Sequence, residues 1–435
     1  MSSVFERGID LPVAVDAEGC EIVDAAGRRY LDGCGGAIVV NVGHRDPAVL
    51  AALRDAASDP AALDYVHATQ FTSAALEQYA TELAAVVPVD DARVYPVSGG
   101  SEAIETALKL ARAYHVANGQ PGRHMVLARR RSYHGNSRGA LDVSGRDPLR
   151  APYLPWLGKT THVAPAYPYR EAATGAQLAQ QLDATIDDLG ASRVAAFVAE
   201  PIAGAALGAA VPPDDYWPAI VEVCRAHGVL LIADEVMTGF GRTGTWFACD
   251  HWDVRPDILV AGKGASNGAW PLGLTIASGE LHDVVQSSPA GFVHGFTWSH
   301  HPIGARVALA VLARLRDGGL VEQGAAAGDK LHRLLAERVA PLEAVGDVRG
   351  RGPFAGIELV ADRNTKQPFA RSARIVERVA AAAKARGLLV YPSTGCADGT
   401  AGDVVLLGPP FVVTDAQLDQ IVTRLAGAIT EAIPS

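Results

Sequence analysis

The chain has 435 residues and is 49% hydrophobic, enough apolar content to bury more core than one ordinary domain holds. Its net charge is −10 and no run of Lys or Arg could follow a phosphate backbone, which argues against a nucleic-acid partner. The opening MSSVFERGIDLP carries Glu6 and Asp10 without an apolar signal core, and no stretch reaches the roughly 20 apolar residues of a membrane span, so a cytoplasmic protein is expected.

Near the start, GCEIVDAAGRRYLDGCGG holds two short strand-like runs separated by Ala25, Ala26 and Gly27, the pattern of a hairpin. From about residue 91, apolar strands alternate with amphipathic helices: ARVYPVSGG, SEAIETALKLARAYH, HMVLARR, then VAAFVAEPI, DDYWPAIVEVCRAHG, VLLIADEV and DILVAGKG. Such alternation predicts an α/β fold with a large, mostly parallel sheet covered on both faces. Beyond residue 325 the pattern changes to DKLHRLLAERVAPL, FAGIELV, IVERVAAAAKARG, VVLLGPP and DAQLDQIVTRLAGAI, a small α+β unit. The expected division is 1–60 as an N-terminal segment contributing to the small domain, 61–325 as the large domain and 326–435 as the C-terminal part of the small one. Cys20, Cys34, Cys224, Cys249 and Cys396 are far apart without CxxC spacing and read as reduced packing residues. No metal site is expected; the adjacent His300 and His301 cannot both face one ion from a strand.

Four features carry chemistry. In LLIADEV, alternation along a strand puts Asp234 and Val236 on one face and Glu235 on the other. Taken alone, an acid at the end of a buried strand also fits a cap or an ion pair. Lys263 ends a second apolar run, and the flanking Gly262 and Gly264 let the backbone approach something bulky. Burial there would strip the amine of its proton and make it a nucleophile for an aldehyde, whereas a lysine reaching for solvent is the plainer reading. Ser98, Gly99, Gly100 and Ser101 lie where a strand meets a helix, offering backbone N–H groups and a helix dipole to a phosphate, although an ordinary turn reads the same way. Tyr133 in SYHGN adds a flat surface for a heteroaromatic ring. Together these are the parts that pyridoxal phosphate requires. GFGRTG from Gly239 to Gly244 matches a dinucleotide fingerprint literally, but TWFACDHWD follows it with no helical pattern.

With these residues in place the chain resembles the class III aminotransferases, a fold-type-I pyridoxal-phosphate family, over nearly its whole length. The segment VLLIADEVMTGFGRTGTWFACDHWDVRPDILVAGKGASNGAWPLG carries the resemblance. It implies that Lys263 holds the cofactor as a Schiff base and moves protons, and that Asp234 pairs with the ring nitrogen. Val236 and Tyr133 would cover the two ring faces, Gly100 and Ser101 would bind phosphate, and His134 and Glu200 would complete the cofactor site. Thr297, in HGFTWSHHP, matches a threonine that reaches the neighbouring subunit's cofactor, which implies a homodimer.

The resemblance further implies a ping-pong transfer from a primary amine or ω-amino acid to pyruvate or 2-oxoglutarate. Leu406, in VVLLGPPF, stands where many members carry a substrate-clamping arginine, which turns the reading away from ornithine- or aminobutyrate-type substrates. Arg138 is a candidate carboxylate binder, and Arg242 is expected to be structural. The alternatives are an aminomutase, decarboxylase, racemase or phospho-lyase of the same fold, and a non-catalytic binding protein.

Overall fold

The computed structural model describes residues 11–59, 62–158 and 160–433. Residues 1–10, on which the reading of the opening segment rests, and the expected domain boundary at residue 60 lie outside the described residues.

The central sheet has seven strands, in the order Arg93–Val97, Gly273–Ala277, Ile258–Ala261, Leu230–Asp234, Val194–Ala199, Met125–Arg129, Thr161–Val163. All but one run in the same direction; Gly273–Ala277 is antiparallel to both neighbours. Its three middle strands, Val194–Ala199, Leu230–Asp234 and Ile258–Ala261, are buried along their whole length, which explains their unbroken apolar sequence. The helix Gly100–Ala117 covers one face, packing Ile104, Ala107 and Ala111 against Val198, Ile232 and Val260. On the other face, Leu182 and Ile186 from the helix Gly175–Leu189 and Trp217 and Ile220 from the helix Tyr216–His227 enclose Phe197 and Leu231.

The predicted hairpin is present as Glu21–Asp24 paired with Arg29–Asp32. Gly27 takes φ +80 in the turn, and Asp24 Oδ1 accepts from the amides of Ala26 and Arg28 at 3.0 and 2.9 Å. Ala14–Glu18 adds a further strand that the sequence pattern did not reveal. On the other side, Leu388–Leu389 joins in parallel to Leu31 and Asp32. A second flanking sheet, Val345–Arg351, Phe354–Leu359, Asp403–Leu407, Tyr391–Thr394, is antiparallel throughout. Cys20 and Leu31 share one core with Leu331, Val379 and Leu425. The helix Leu320–Arg338 joins two cores: Leu320 and Val321 pack with Phe411, while Leu331, Leu334 and Leu335 pack in the C-terminal cluster. Residue 325 falls inside this helix.

Candidate active site

Chain segments that follow the strands converge at the carboxyl edge of the central sheet, the edge at which open α/β sheets place their ligands. Ser98 to Ser101 follow Arg93–Val97, Tyr133 and His134 follow Met125–Arg129, and Glu200 follows Val194–Ala199. Asp234 closes its own strand, and Lys263 opens a short 3-10 turn, Lys263–Ala265, beyond Ile258–Ala261. All of these except Ser98 line, with Val236, a cleft of about 260 Å³. A larger open groove of about 1410 Å³ runs past Leu108, Arg112 and Val116 and holds none of these groups. The chemistry is therefore assigned to the smaller cleft.

Asp234 is held from two sides. Its Oδ1 accepts from the Val236 amide at 3.0 Å and its Oδ2 lies 2.7 Å from Nδ1 of the buried His134. The His134 amide in turn bonds Ser144 Oγ at 2.8 Å. Glu200 is buried and accepts from the Gly204 amide at 3.1 Å, with the Arg129 guanidinium 3.8 Å from its Oε2. Burial pushes the Glu200 carboxyl up, against the pull of His134 and Arg129. Lys263 has φ +44, an uncommon conformation for a residue with a long side chain. It is partly open to the cleft, yet lies deep enough that burial pushes its amine down to about 8, opposed by the charges of Asp234 and Glu200. Glu235, which lies just past its strand and does not line the cleft, is fully buried; it accepts from the amides of Ala248 and Cys249 and from the Thr238 hydroxyl, and burial pushes it up to about 7. It is a structural carboxylate, fixing the turn Ala248–Trp252 behind the site.

Small shifts separate these positions from the expected ones. Val236 lies just past its strand rather than in it, and the helix after the glycines begins at Gly100 itself. Thr297 is exposed and does not line the cleft of its own chain. Arg138 is likewise outside the cleft, exposed, with Nε donating to the Trp156 carbonyl at 3.0 Å. Arg242 is fully buried and donates to the carbonyls of Pro409 and Val40 and to Asn41 Oδ1, as a structural arginine does. Leu406 is fully buried among apolar neighbours. Residues Gly239 to Gly244 form turns, not a helix start, so the dinucleotide fingerprint is only literal. The cleft also includes Ile202, Ala205, Met237 and Leu272, an apolar wall that no sequence feature had singled out.

The family profile described as Aminotransferase class-III matches residues 6–429. The chain belongs to the class-III aminotransferases. It is similar to the uncharacterized aminotransferase YodT of Bacillus subtilis, 38% identical over 95% of this chain and 93% of that one. The putrescine–pyruvate aminotransferase of Pseudomonas aeruginosa is 33% identical, over 94% and 89%. An amine transaminase from an uncultivated Pseudomonas species, solved in its pyridoxal-phosphate-bound form, superposes with a TM-score of 0.91 at 35% identity, over 99% and 97% of the two chains. The fold of this aminotransferase is thus the fold type I of pyridoxal-phosphate enzymes, and the family works with that cofactor. Its own residues fit such a ligand. His134 Nε2 and Glu200 Oε2 are buried at the cleft and have no hydrogen-bond partner among the described residues. A Cβ on Gly100 would lie 3.0 Å from Val236 Cγ1, so the glycine lets the helix start sit close against Val236. Among the described residues, no helix is long and apolar enough to cross a membrane.

Proposed function

We propose that this aminotransferase holds pyridoxal phosphate at the Lys263 cleft and moves an amino group from a primary amine or ω-amino acid to pyruvate or 2-oxoglutarate in a ping-pong cycle. The reading rests on one observation: Lys263, Asp234, His134, Glu200, Val236, Tyr133, Gly100 and Ser101, scattered over the chain, meet around one 260 Å³ cleft.

When bound, the cofactor supplies an aldehyde carbon and an electron-withdrawing ring. Lys263, its amine lowered to about 8, gains a neutral fraction near physiological pH; it would hold the cofactor through its amine and, once a substrate amine had displaced it, would move the substrate's proton. Asp234, its carboxylate held by His134 and the Val236 amide, would keep a proton on the ring nitrogen. Val236 and Tyr133, both on the cleft wall, would bound the ring's two faces. Gly100 and Ser101 open the eighteen-residue helix Gly100–Ala117, whose free N–H groups and dipole favour a phosphate. Glu200, held by the Gly204 amide, would help orient the Asp234 and His134 pair through its charge.

The apolar wall of Ile202, Ala205, Met237 and Leu272 supports an amine donor with an uncharged side. The relative acting on putrescine and pyruvate supports the acceptor. We further propose a homodimer in which Thr297 serves the neighbouring site. The exposed Trp298 beside it, 5.9 Å from the exposed Tyr65 ring, supports a surface that a second copy covers. Residues 1–60 and 326–435 are proposed to form the small domain around 61–325, with the strand Leu388–Leu389 on Leu31 and Asp32 as support. The five buried, unpaired cysteines support a reducing, cytoplasmic setting.

Steady-state assays with monoamines, diamines and ω-amino acids against pyruvate and 2-oxoglutarate test the assignment. Parallel double-reciprocal lines and formation of alanine or glutamate are expected. Amine turnover with no amino acid product would refute it.

A further inference from the structure

The turn that carries Lys263 is bracketed by two non-glycine residues in left-handed backbone, Lys263 at φ +44 and Asn267 at φ +55. Asparagine accepts that region readily; lysine does not, and persists there only where its surroundings over-determine it. Those surroundings come from a remote part of the chain. Asn267 Oδ1 accepts from the amides of Asn41 and Val42 at 2.7 and 2.9 Å, and its Nδ2 donates to the Gly43 carbonyl at 2.8 Å. Asn41 uses the rest of its polar groups as well: Nδ2 donates to the Phe240 carbonyl at 2.7 Å, Oδ1 accepts from Arg242, and its carbonyl accepts from the Phe411 amide at 2.7 Å. Both asparagines are buried. Gly264, next to Lys263, lies flush on this carboxamide: a Cβ there would be 2.3 Å from Asn41 Nδ2. The segment 41–43 is thus wedged between the Lys263 turn and the Phe240–Arg242 turn, and neither asparagine lines the cleft.

We propose that Asn267 and Asn41 are positioning residues of the transamination reaction, clamping the Lys263 turn onto the segment 41–43 so that Lys263 keeps its left-handed backbone and its amine stays at the cleft. The inference rests on the reading of Lys263 as the cofactor anchor. Relaxation of Lys263 to a negative φ turns its Cα–Cβ bond away from the present direction, and a misplaced amine loses more in turnover than in substrate binding.

The test uses the pyridoxal-phosphate-loaded protein. Borohydride reduction followed by peptide mapping first establishes whether the wild type carries the cofactor on Lys263. Four substitutions then dissect the clamp: Asn267→Ala, Asn41→Ala, Asn267→Gly, which keeps the positive φ but loses all three bonds, and Asn267→Asp, which keeps the two accepted amides. Leu425→Ala, in the C-terminal core, serves as a control for lost stability alone. The readouts are the pH titration of the visible absorbance band, kcat and KM. Asn267→Ala, Asn41→Ala and Asn267→Gly are expected to shift the band's titration and to lower kcat about ten- to a hundredfold with KM little changed. Asn267→Asp, which turns an acceptor oxygen toward the Gly43 carbonyl while keeping the two amides, should have a kcat between those of the wild type and Asn267→Ala, and Leu425→Ala should lower the melting temperature without moving the titration. If the folded, loaded Asn267→Ala and Asn267→Gly proteins titrate and turn over like the wild type, the clamp is refuted while the Lys263 assignment stands. If reduction fixes no cofactor on Lys263 in the wild type, the assignment falls and the clamp with it.

Discussion

Replacing Lys263 by Met in the cofactor-free protein removes a cation that folding has partly stripped of water. The amine's ordinary value of 10.5 falls to about 8 in the folded chain. Below pH 8 the lysine is charged in both the folded and the unfolded state, and the folded state carries the whole desolvation cost. Between 8 and 10.5 the unfolded chain holds a proton that the folded chain has released, so wild-type stability rises with pH across this window. Above it the amine is neutral in both states and the cost is gone. At 1.36 kcal/mol per pH unit the gap amounts to about 3 kcal/mol, reduced to about 2 kcal/mol because the side chain opens partly to the cleft. Lys263→Met, similar in length and uncharged, is therefore expected to be more stable than the wild type by about 2 kcal/mol at pH 7 and equal to it near pH 10.5. Urea unfolding of both cofactor-free proteins at several pH values measures this difference. A gap that stays constant across the range, or a less stable variant at pH 7, refutes the reasoning.

Other substitutions probe the rest of the site. Asp234→Asn keeps the shape beside His134 but removes the charge, and should lower kcat by about a hundredfold or more, the scale of losing one preorganised electrostatic partner, as read by single-turnover kinetics. Gly100→Ala sets a methyl 3.0 Å from Val236 Cγ1, a contact made within the protein itself, so overpacking of about 1–3 kcal/mol should lower the stability of the cofactor-free protein in chemical unfolding. Glu235→Ala leaves the buried amides of Ala248 and Cys249 without an acceptor and should cost about 3 kcal/mol in chemical unfolding.

Much of this architecture is legible in the residues. The buried middle strands announce themselves because both faces are covered, so VAAFVA, LLIAD and ILVA are apolar without alternation. The cleft is legible where chemistry-bearing types interrupt such runs: Asp234 ends one, and Lys263 follows another between two glycines. Other elements leave weaker traces. Thr161–Val163 is a three-residue edge strand, too short for any period to show. Gly273–Ala277 is buried throughout and mostly apolar, but nothing in it declares that it returns antiparallel in a parallel sheet. Ala14–Glu18 is largely exposed and carries acids at an edge. The asparagines behind Lys263 are invisible for another reason. Asn41 and Asn267 are 226 positions apart, and their meaning comes only from the contact between them.

A half-reaction separates transamination from the other chemistries of this fold: the pyridoxal-phosphate-loaded protein is mixed with a primary amine or ω-amino acid, with no acceptor present. The visible band should give way to a near-ultraviolet band, one equivalent per chain, and pyruvate or 2-oxoglutarate should restore it. A visible band that persists with every donor would contradict transamination and favour a mutase, decarboxylase, racemase or lyase of the same fold.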